Sequence, residues 1–300
     1  MYDYRRQHAQ ILEILEKRIF FVGGAMKSGT TWLQLSLDAH PHLSCGGEGH
    51  FTNQLAPRLV QALGDYNGYL NAKNTETFNE IVGYPGLAEE DILYLVMTAI
   101  AAALRRQPKA RTAVAVGEKT PDNVRAFDLL ATLFPNAKFI HVVRDGRDCA
   151  VSAWFHNLRT APPQAFGDFG TKEAYLGRFG QFWSHNVGAG ADFGTQQPGR
   201  YRAVRYEDLL AVPDQTLEGV FDFLGVGSDP GILEACRSAG SFGHLSGGRS
   251  PGMEDPHSFF RKGVAGDWPQ HFSATTLAAF EAAAGPCLER FGYRRAVEAA

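Results

Sequence analysis

Nowhere in its 300 residues does this sequence run apolar for the roughly 20 positions that a helix needs to cross a bilayer. The opening stretch, MYDYRRQHAQILEILEKRIFFVGG, spaces its apolar residues helically and lacks the continuous apolar region of a secretory leader. Cysteine is scarce. Cys45, Cys149, Cys236 and Cys287 stand far apart, with no C-x-x-C pair and none of the density of a small disulfide-built domain. An excess of one charge is also missing: 29 Lys plus Arg face 32 Asp plus Glu, a formal net charge of -3, which gives no overall attraction to nucleic acid or to an anionic membrane. Histidine and cysteine occur without ligand spacing, so no metal site is indicated. The expectation is a soluble, cytoplasmic protein without membrane anchor, metal or nucleic-acid partner, in which any anion site is a local concentration of charge.

With 44% hydrophobic and 20% charged residues, the chain can bury one substantial core, and residues 1–300 read as a single domain. Residues 1–17 contain an N-terminal helix whose amphipathic part is 7–17. The β-rich run 18–22 follows, closed by Gly23-Gly24; residues 23–31 make a turn, and a helix begins at Thr31 and stops at His40-Pro41. Further strands are expected at 112–116, 137–143 and 201–206, the last leading directly into a helix. Strands alternating with helices imply an α/β fold, a central and mainly parallel sheet flanked by helices. In such sheets ligands sit beyond the carboxyl ends of the strands, where the polar loops of this sequence fall. Segments 52–85, 153–200 and 237–260 read as long loops, serving as lids or acceptor-binding walls or else as surface excursions. Their aromatics Phe51, Tyr66, Tyr69, Trp154, Phe155, Phe166, Phe169, Phe182 and Trp183 could stack on sugar rings or enclose an apolar alcohol.

Three separated segments carry anion-binding chemistry. In G-G-A-M-K-S-G-T-T-W, residues 23–32, a strand delivers backbone N–H groups and Lys27 to a helix start, where orphan amides and the helix dipole favour a phosphate. This is not a Walker A loop, because Lys27 precedes Gly29 by two residues instead of following a glycine directly. In R-D-G-R-D-C-A-V-S, Arg144 at a strand end and Ser152 on the following helix can converge on one phosphate. Asp145, Arg147 and Asp148 read as helix-start charges and ion pairs. Far downstream, R-K-G-V-A-G-D-W at 261–268 offers two cations and a glycine to an anion with three acceptor oxygens.

Together these segments resemble, in order, the phosphate motifs of sulfotransferases that use 3′-phosphoadenosine-5′-phosphosulfate (PAPS). The resemblance implies a P-loop-like sulfotransferase fold and a sulfuryl transfer from PAPS to the hydroxyl or amine of a small-molecule or carbohydrate acceptor. It implies that Lys27 reaches the oxygen bridging phosphorus and sulfur, that Ser28, Gly29, Thr30 and Thr31 hold the 5′-phosphate, and that Trp32 stacks near the adenine. Arg144, Ser152, Arg261, Lys262 and the N–H of Gly263 would bind the 3′-phosphate. Tyr206 and Phe242 match adenine-contacting positions, although aromatics at strand ends also serve simply as core.

Sulfuryl transfer further needs a base for the acceptor's proton, and C-G-G-E-G-H-F places Glu48 and His50 just beyond the phosphate-loop helix. The segments G-E-G-H-F and G-E-K-T-P resemble loops of carbohydrate sulfotransferases, which implies Glu48 as base and Lys119 as a second cation beside the sulfuryl group; His50 stays the rival base. The histidine base of the cytosolic relatives has no evident counterpart: His156 follows Ser152 too closely, and His141, within a strand, reads as a core or edge residue. After the closing loop, PQHFSATTL departs from the elements of the cytosolic dimer contact, so the oligomeric state stays open. The competing reading is a P-loop-type small-molecule kinase, which would call for a Walker A loop and metal-holding carboxylates.

Overall fold

The computed structural model describes residues 3–78, 83–161 and 170–296. Helix α1, Tyr4–Leu15, begins three residues earlier than the apolar spacing indicates because Asp3 caps it, its carboxylate accepting from the Arg6 N–H at 3.0 Å. Strand β1, Arg18–Gly24, is buried from Ile19 onward, as a central strand of a parallel sheet must be. Helix α2, Thr30–Ala39, leads into β2, Leu43–Gly46, a short strand that the sequence does not announce. A π-helical turn, Phe51–Leu55, and helices α3, Ala56–Phe78, and α4, Glu89–Leu104, come next.

Strand β3 is Ala115–Lys119, displaced toward the carboxyl side of the apolar run at 112–116. The His42 carbonyl takes the N–H groups of Val114 and Ala115, and pairing with β1 and β2 then starts at Ala115 and carries the polar residues Glu118 and Lys119 into the sheet. A 3-10 turn, Pro121–Ala126, and α5, Phe127–Leu133, precede β4, Lys138–Val143. Then come α6, Gly146–Thr160; α7, Lys172–Gln196; β5, Tyr201–Arg205; and α8, Tyr206–Ala211. The chain closes with α9, Pro213–Leu224; α10, Pro230–Gly240; α11, Phe242–Leu245; a 3-10 turn, Trp268–Gln270; and α12, Ala274–Arg290.

The five strands run parallel in the order β2-β3-β1-β4-β5. Ile19 and Phe21 of β1 face a core built with α1, α4 and α5, while Phe20 and Val22 face one built with α2, α9 and α10. A third core joins α6, α7 and α12 around Trp183. Because β1 lies between β3 and β4, connections depart to either side of it and leave a crevice at its carboxyl end, the place where such sheets bind ligands.

Two segments read as loops are largely helical. Segment 52–85 is mostly α3, and 153–200 is mostly the end of α6 and α7. The glycines that suggest a loop serve helix packing: a side chain at Gly180 would press on the Phe280 backbone, and one at Gly190 on the His141 ring. Two of the aromatics assigned to an acceptor surface are core instead, Phe51 at 6% exposure and Trp183 at 0%. Phe166 and Phe169 lie outside the described residues. Residues 246–267 have neither helix nor strand, which agrees with a loop for the latter part of 237–260.

Candidate active site

The end of β1 turns sharply into α2. Lys27 takes φ of 66°, unusual for a non-glycine residue, and Gly29 takes φ of 96° at the cap of α2. A β-carbon at Gly29 would also strike the Tyr206 ring, so glycine is required there twice over. No side chain caps α2, leaving its first N–H groups open to an anion. Beneath them the Ser28 hydroxyl is buried and has no partner among the described residues. The Lys27 ammonium stands 4.2 Å from the centroid of Phe259. Burial first, then the nearby Arg159 and Arg144, lower its pKa to about 8.

From the end of β4, buried Arg144 lays its guanidinium 4.5 Å from the Tyr206 ring centroid. It donates to the carbonyls of Lys27 at 3.3 Å and Val264 at 3.0 Å, tying the phosphate loop to the 261–268 segment, while its buried Nε keeps no partner among the described residues. Asp145 caps α6 and pairs with Arg147, which also reaches Glu281 at 2.9 Å, the structural ion pairs anticipated for these charges. Asp148 does more: its buried carboxylate accepts the N–H of Gly266 at 2.7 Å and of Trp268 at 3.0 Å and so fastens the downstream loop to α6. In that loop Arg261 and Lys262 both donate to Asp267, and Arg261 also reaches Glu254 at 2.6 Å. Burial would raise the Asp267 carboxyl, but hydrogen bonds from Lys262 and Arg261 hold it well below the usual carboxylate range. Gly263, φ 67°, packs where a side chain would overlap the Phe242 ring.

The base candidates sit on the loop after β2. Glu48 accepts from the Lys119 ammonium at 2.6 Å, and Lys119, buried at the end of β3, also approaches the Thr31 hydroxyl at 3.3 Å. His50 brings Nε2 within 3.6 Å of the other Glu48 oxygen. Neighbouring Glu118 is 1% exposed and receives hydrogen bonds from the Gly49 N–H, the Thr120 hydroxyl and the Asn123 amide. Burial pushes its carboxyl upward against these donors.

One cavity of about 310 Å³ collects most of these groups. Lys27, Gly29, Thr30, Thr31, Trp32, Arg144, Ser152, Tyr206, Phe242, Arg261, Lys262 and Gly263 line it, and Glu48 stands in the same wall. Ser28 lies below it, Lys119 behind Glu48, and His50 outside it. Tyr206, at 8% exposure, is both core packing under Gly29 and cavity wall.

The lining also holds residues that the sequence did not assign to the site, among them His156, Phe259 and Phe260. His156 stands one turn beyond Ser152 on the same face of α6, with its pKa lowered to about 4 by burial, Lys27 and Arg159. Its closeness to Ser152 counted against it as a base in the sequence, whereas the four-residue spacing brings both to the cavity. Phe259 and Phe260 come from irregular chain, where no periodicity points.

The donor set fits an adenine nucleotide bearing phosphates at both ends. Cationic side chains, uncapped amides and aromatic side chains share the cavity, and a buried hydroxyl and a guanidinium nitrogen lack partners among the described residues. Among the described residues no cluster of His, Cys, Asp and Glu could hold a metal, and no helix is long and apolar enough to cross a membrane.

Comparison with known proteins agrees with this geometry. A Caenorhabditis briggsae sequence named as a candidate protein-tyrosine sulfotransferase is 25% identical over 279 residues, covering 92% of this chain and 89% of the relative. Protein-tyrosine sulfotransferase 2 of Gallus gallus is 25% identical over 240 residues, 80% of this chain but 59% of the relative, so the chain spans well under two thirds of that protein. Among solved structures, the sulfotransferase domain of the Synechococcus PCC 7002 olefin synthase superposes with a TM-score of 0.55 at 25% identity, covering 93% of this chain and 95% of that one. A mouse sulfotransferase complexed with PAP shares the fold, with a TM-score of 0.57 at 19% identity over 97% of this chain and 94% of its own. The model of the sulfotransferase family matches residues 20–230, the span from β1 through β5 to the start of α10, and this chain belongs to that family.

Proposed function

We propose that the chain uses PAPS as donor and transfers its sulfuryl group to an acceptor hydroxyl, with Glu48 as the base. The observation that carries this reading is the cavity itself, in which cations from three distant segments meet the Glu48–Lys119 pair. Arg144, Ser152, Arg261, Lys262 and the Gly263 N–H hold the 3′-phosphate; the uncapped amides of α2, with Thr30, Thr31 and the Ser28 hydroxyl, hold the 5′-phosphate. Trp32 and Phe242 enclose the adenine, with Tyr206 beneath. Glu48 removes the proton from the acceptor oxygen as that oxygen attacks sulfur from the side opposite the bridging oxygen. A sulfur–oxygen bond forms to the acceptor, the bond to the bridging oxygen breaks, and 3′-phosphoadenosine-5′-phosphate (PAP) departs with the electron pair. Lys27 neutralises the charge arriving on that oxygen, and Lys119, behind Glu48, holds the base carboxylate. Glu48 is preferred to His50 because Glu48 lies in the cavity wall and His50 does not.

For the acceptor we propose the phenolic hydroxyl of a tyrosyl peptide. Support comes from the relatives named protein-tyrosine sulfotransferases, one of which aligns along 89% of its own length. Incubation with PAPS and, in parallel, a tyrosyl peptide, a simple phenol and an unsulfated glycosaminoglycan tests this by mass analysis. Sulfation of the peptide at tyrosine is the expected result; sulfation of the glycosaminoglycan alone would refute the acceptor class.

A further inference from the structure

Residues 47–50, Gly-Glu-Gly-His, carry the proposed base on a loop with little packing of its own, since Gly47 has open space where a side chain would be. Something must fix the Glu48 carboxylate against the phosphate loop. Lys119 holds the carboxylate itself. The backbone behind it is held by the adjacent residue of β3, whose side chain points the opposite way, as successive strand residues do.

We infer that buried Glu118 is a positioning residue for the base Glu48, gathering the two peptide N–H groups that follow Glu48 and tying them to the end of β1. The Gly49 N–H donates to Glu118 Oε1 at 2.7 Å. The His50 N–H donates to the Thr120 hydroxyl oxygen at 3.2 Å, and that hydroxyl spends its own proton on Glu118 Oε1. On the other oxygen, the Asn123 amide donates at 2.8 Å and also reaches the carbonyl of Val22, directly before Gly23-Gly24, at 3.3 Å. Thr52, just past the loop, donates to Asn123 Oδ1 at 3.3 Å. Glu118, Thr120 and Asn123 are all fully or almost fully buried, so water does not replace these bonds. The base loop and the phosphate loop thus hang from one hydrogen-bond network, and the separation of base from donor is set by that network.

The network calls for two acceptor oxygens. Glutamine at 118 has the same shape but turns one acceptor oxygen into a donating amide NH2, which meets either the Gly49 N–H and Thr120 hydroxyl or the Asn123 amide NH2. Rotating Asn123 to suit it would set its oxygen against the Val22 carbonyl. The strain therefore falls on the loop that carries Glu48, while the cavity lining, which excludes Glu118, Thr120 and Asn123, stays as it is.

This inference rests on Glu48 being the base, and the test separates the two. In Glu118→Gln, hydrogen exchange across 46–52 should accelerate about tenfold or more while exchange in β1 and β4 and the affinity for PAP stay within about twofold. Sulfation of a tyrosyl peptide from PAPS should fall about 10- to 100-fold in kcat, the scale expected when a reacting group moves by about 1 Å. Combined with Glu48→Gln, Glu118→Gln should cause no further loss, whereas a general loss of structure would add. Thr120→Val, which removes the His50 tie and the Thr120–Glu118 bond but leaves the Gly49 tie, should speed exchange at 50–52 and lower kcat by a smaller factor, and it serves if Glu118→Gln fails to fold. Unchanged exchange over 46–52 in both variants overturns the inference whatever the acceptor. Activity retained in Glu48→Gln but lost in Glu118→Gln refutes the base assignment instead.

Discussion

Arg261→Ala offers a discriminating test of the 3′-phosphate site. In the structure Arg261 shares Asp267 with Lys262 and reaches Glu254, and its guanidinium lies 4.7 Å from the Phe155 ring centroid. Removing it leaves Asp267 with Lys262 and with His271 at 3.2 Å, so the loop keeps its main anchor, and the Asp148 clamp on Gly266 and Trp268 is untouched. What is lost is one charged hydrogen bond to the phosphate, about 1.5–3 kcal/mol. The unneutralised part of Asp267 then adds repulsion in the same direction. At about 1.4 kcal/mol per factor of ten, PAP should bind about 10- to 150-fold more weakly. ADP has no 3′-phosphate, so its affinity should change by less than about twofold. Isothermal titration of both ligands against both proteins provides the double comparison. Equal losses for PAP and ADP would mean that Arg261 acts on the whole cavity, and no loss for PAP would remove it from the site.

Three further outcomes follow from the geometry. Lys27, with its pKa lowered to about 8, carries its charge in the free enzyme below that pH, so kcat/KM for PAPS should fall toward tenfold per pH unit above about 8; Lys27→Ala should lose most of kcat and that limb of the profile together. Glu48→Gln should lower kcat by about 10²- to 10⁴-fold, the usual contribution of a positioned base, with PAP affinity unchanged by titration. Gly29→Ala should destabilise the fold by about 1–3 kcal/mol in denaturant unfolding and weaken PAP binding, because alanine must adopt φ near 96° and press on Tyr206.

Much of the cavity lining was legible because the phosphate binding proposed for it calls for local chemistry on short stretches. A strand ending in glycines before Lys27, an arginine at the end of β4 and the paired cations 261–262 each carry their signal within a few residues, and the fold brings them to one cavity. Polar residues inside a strand carry no such signal. Glu118 and Lys119 extend β3 although their side chains suggest a loop, because pairing with β2 through Glu118 and with β1 through Lys119 enforces the strand and each side chain finds a partner. The same tertiary override explains α7, whose glycines look like loop residues until the helices packed against them are in view. Asp148 read correctly as a helix-start charge, yet its hold on the 261–268 loop spans more than a hundred residues of sequence and is visible only in the fold.

The most direct test of the central claim is calorimetric titration of the purified protein with PAP, with ADP and ATP alongside. Micromolar or tighter binding that depends on the 3′-phosphate is the expected result, with ADP and ATP bound at least about tenfold more weakly. Preference for ATP, or equal affinity for all three, would contradict it and return the kinase reading.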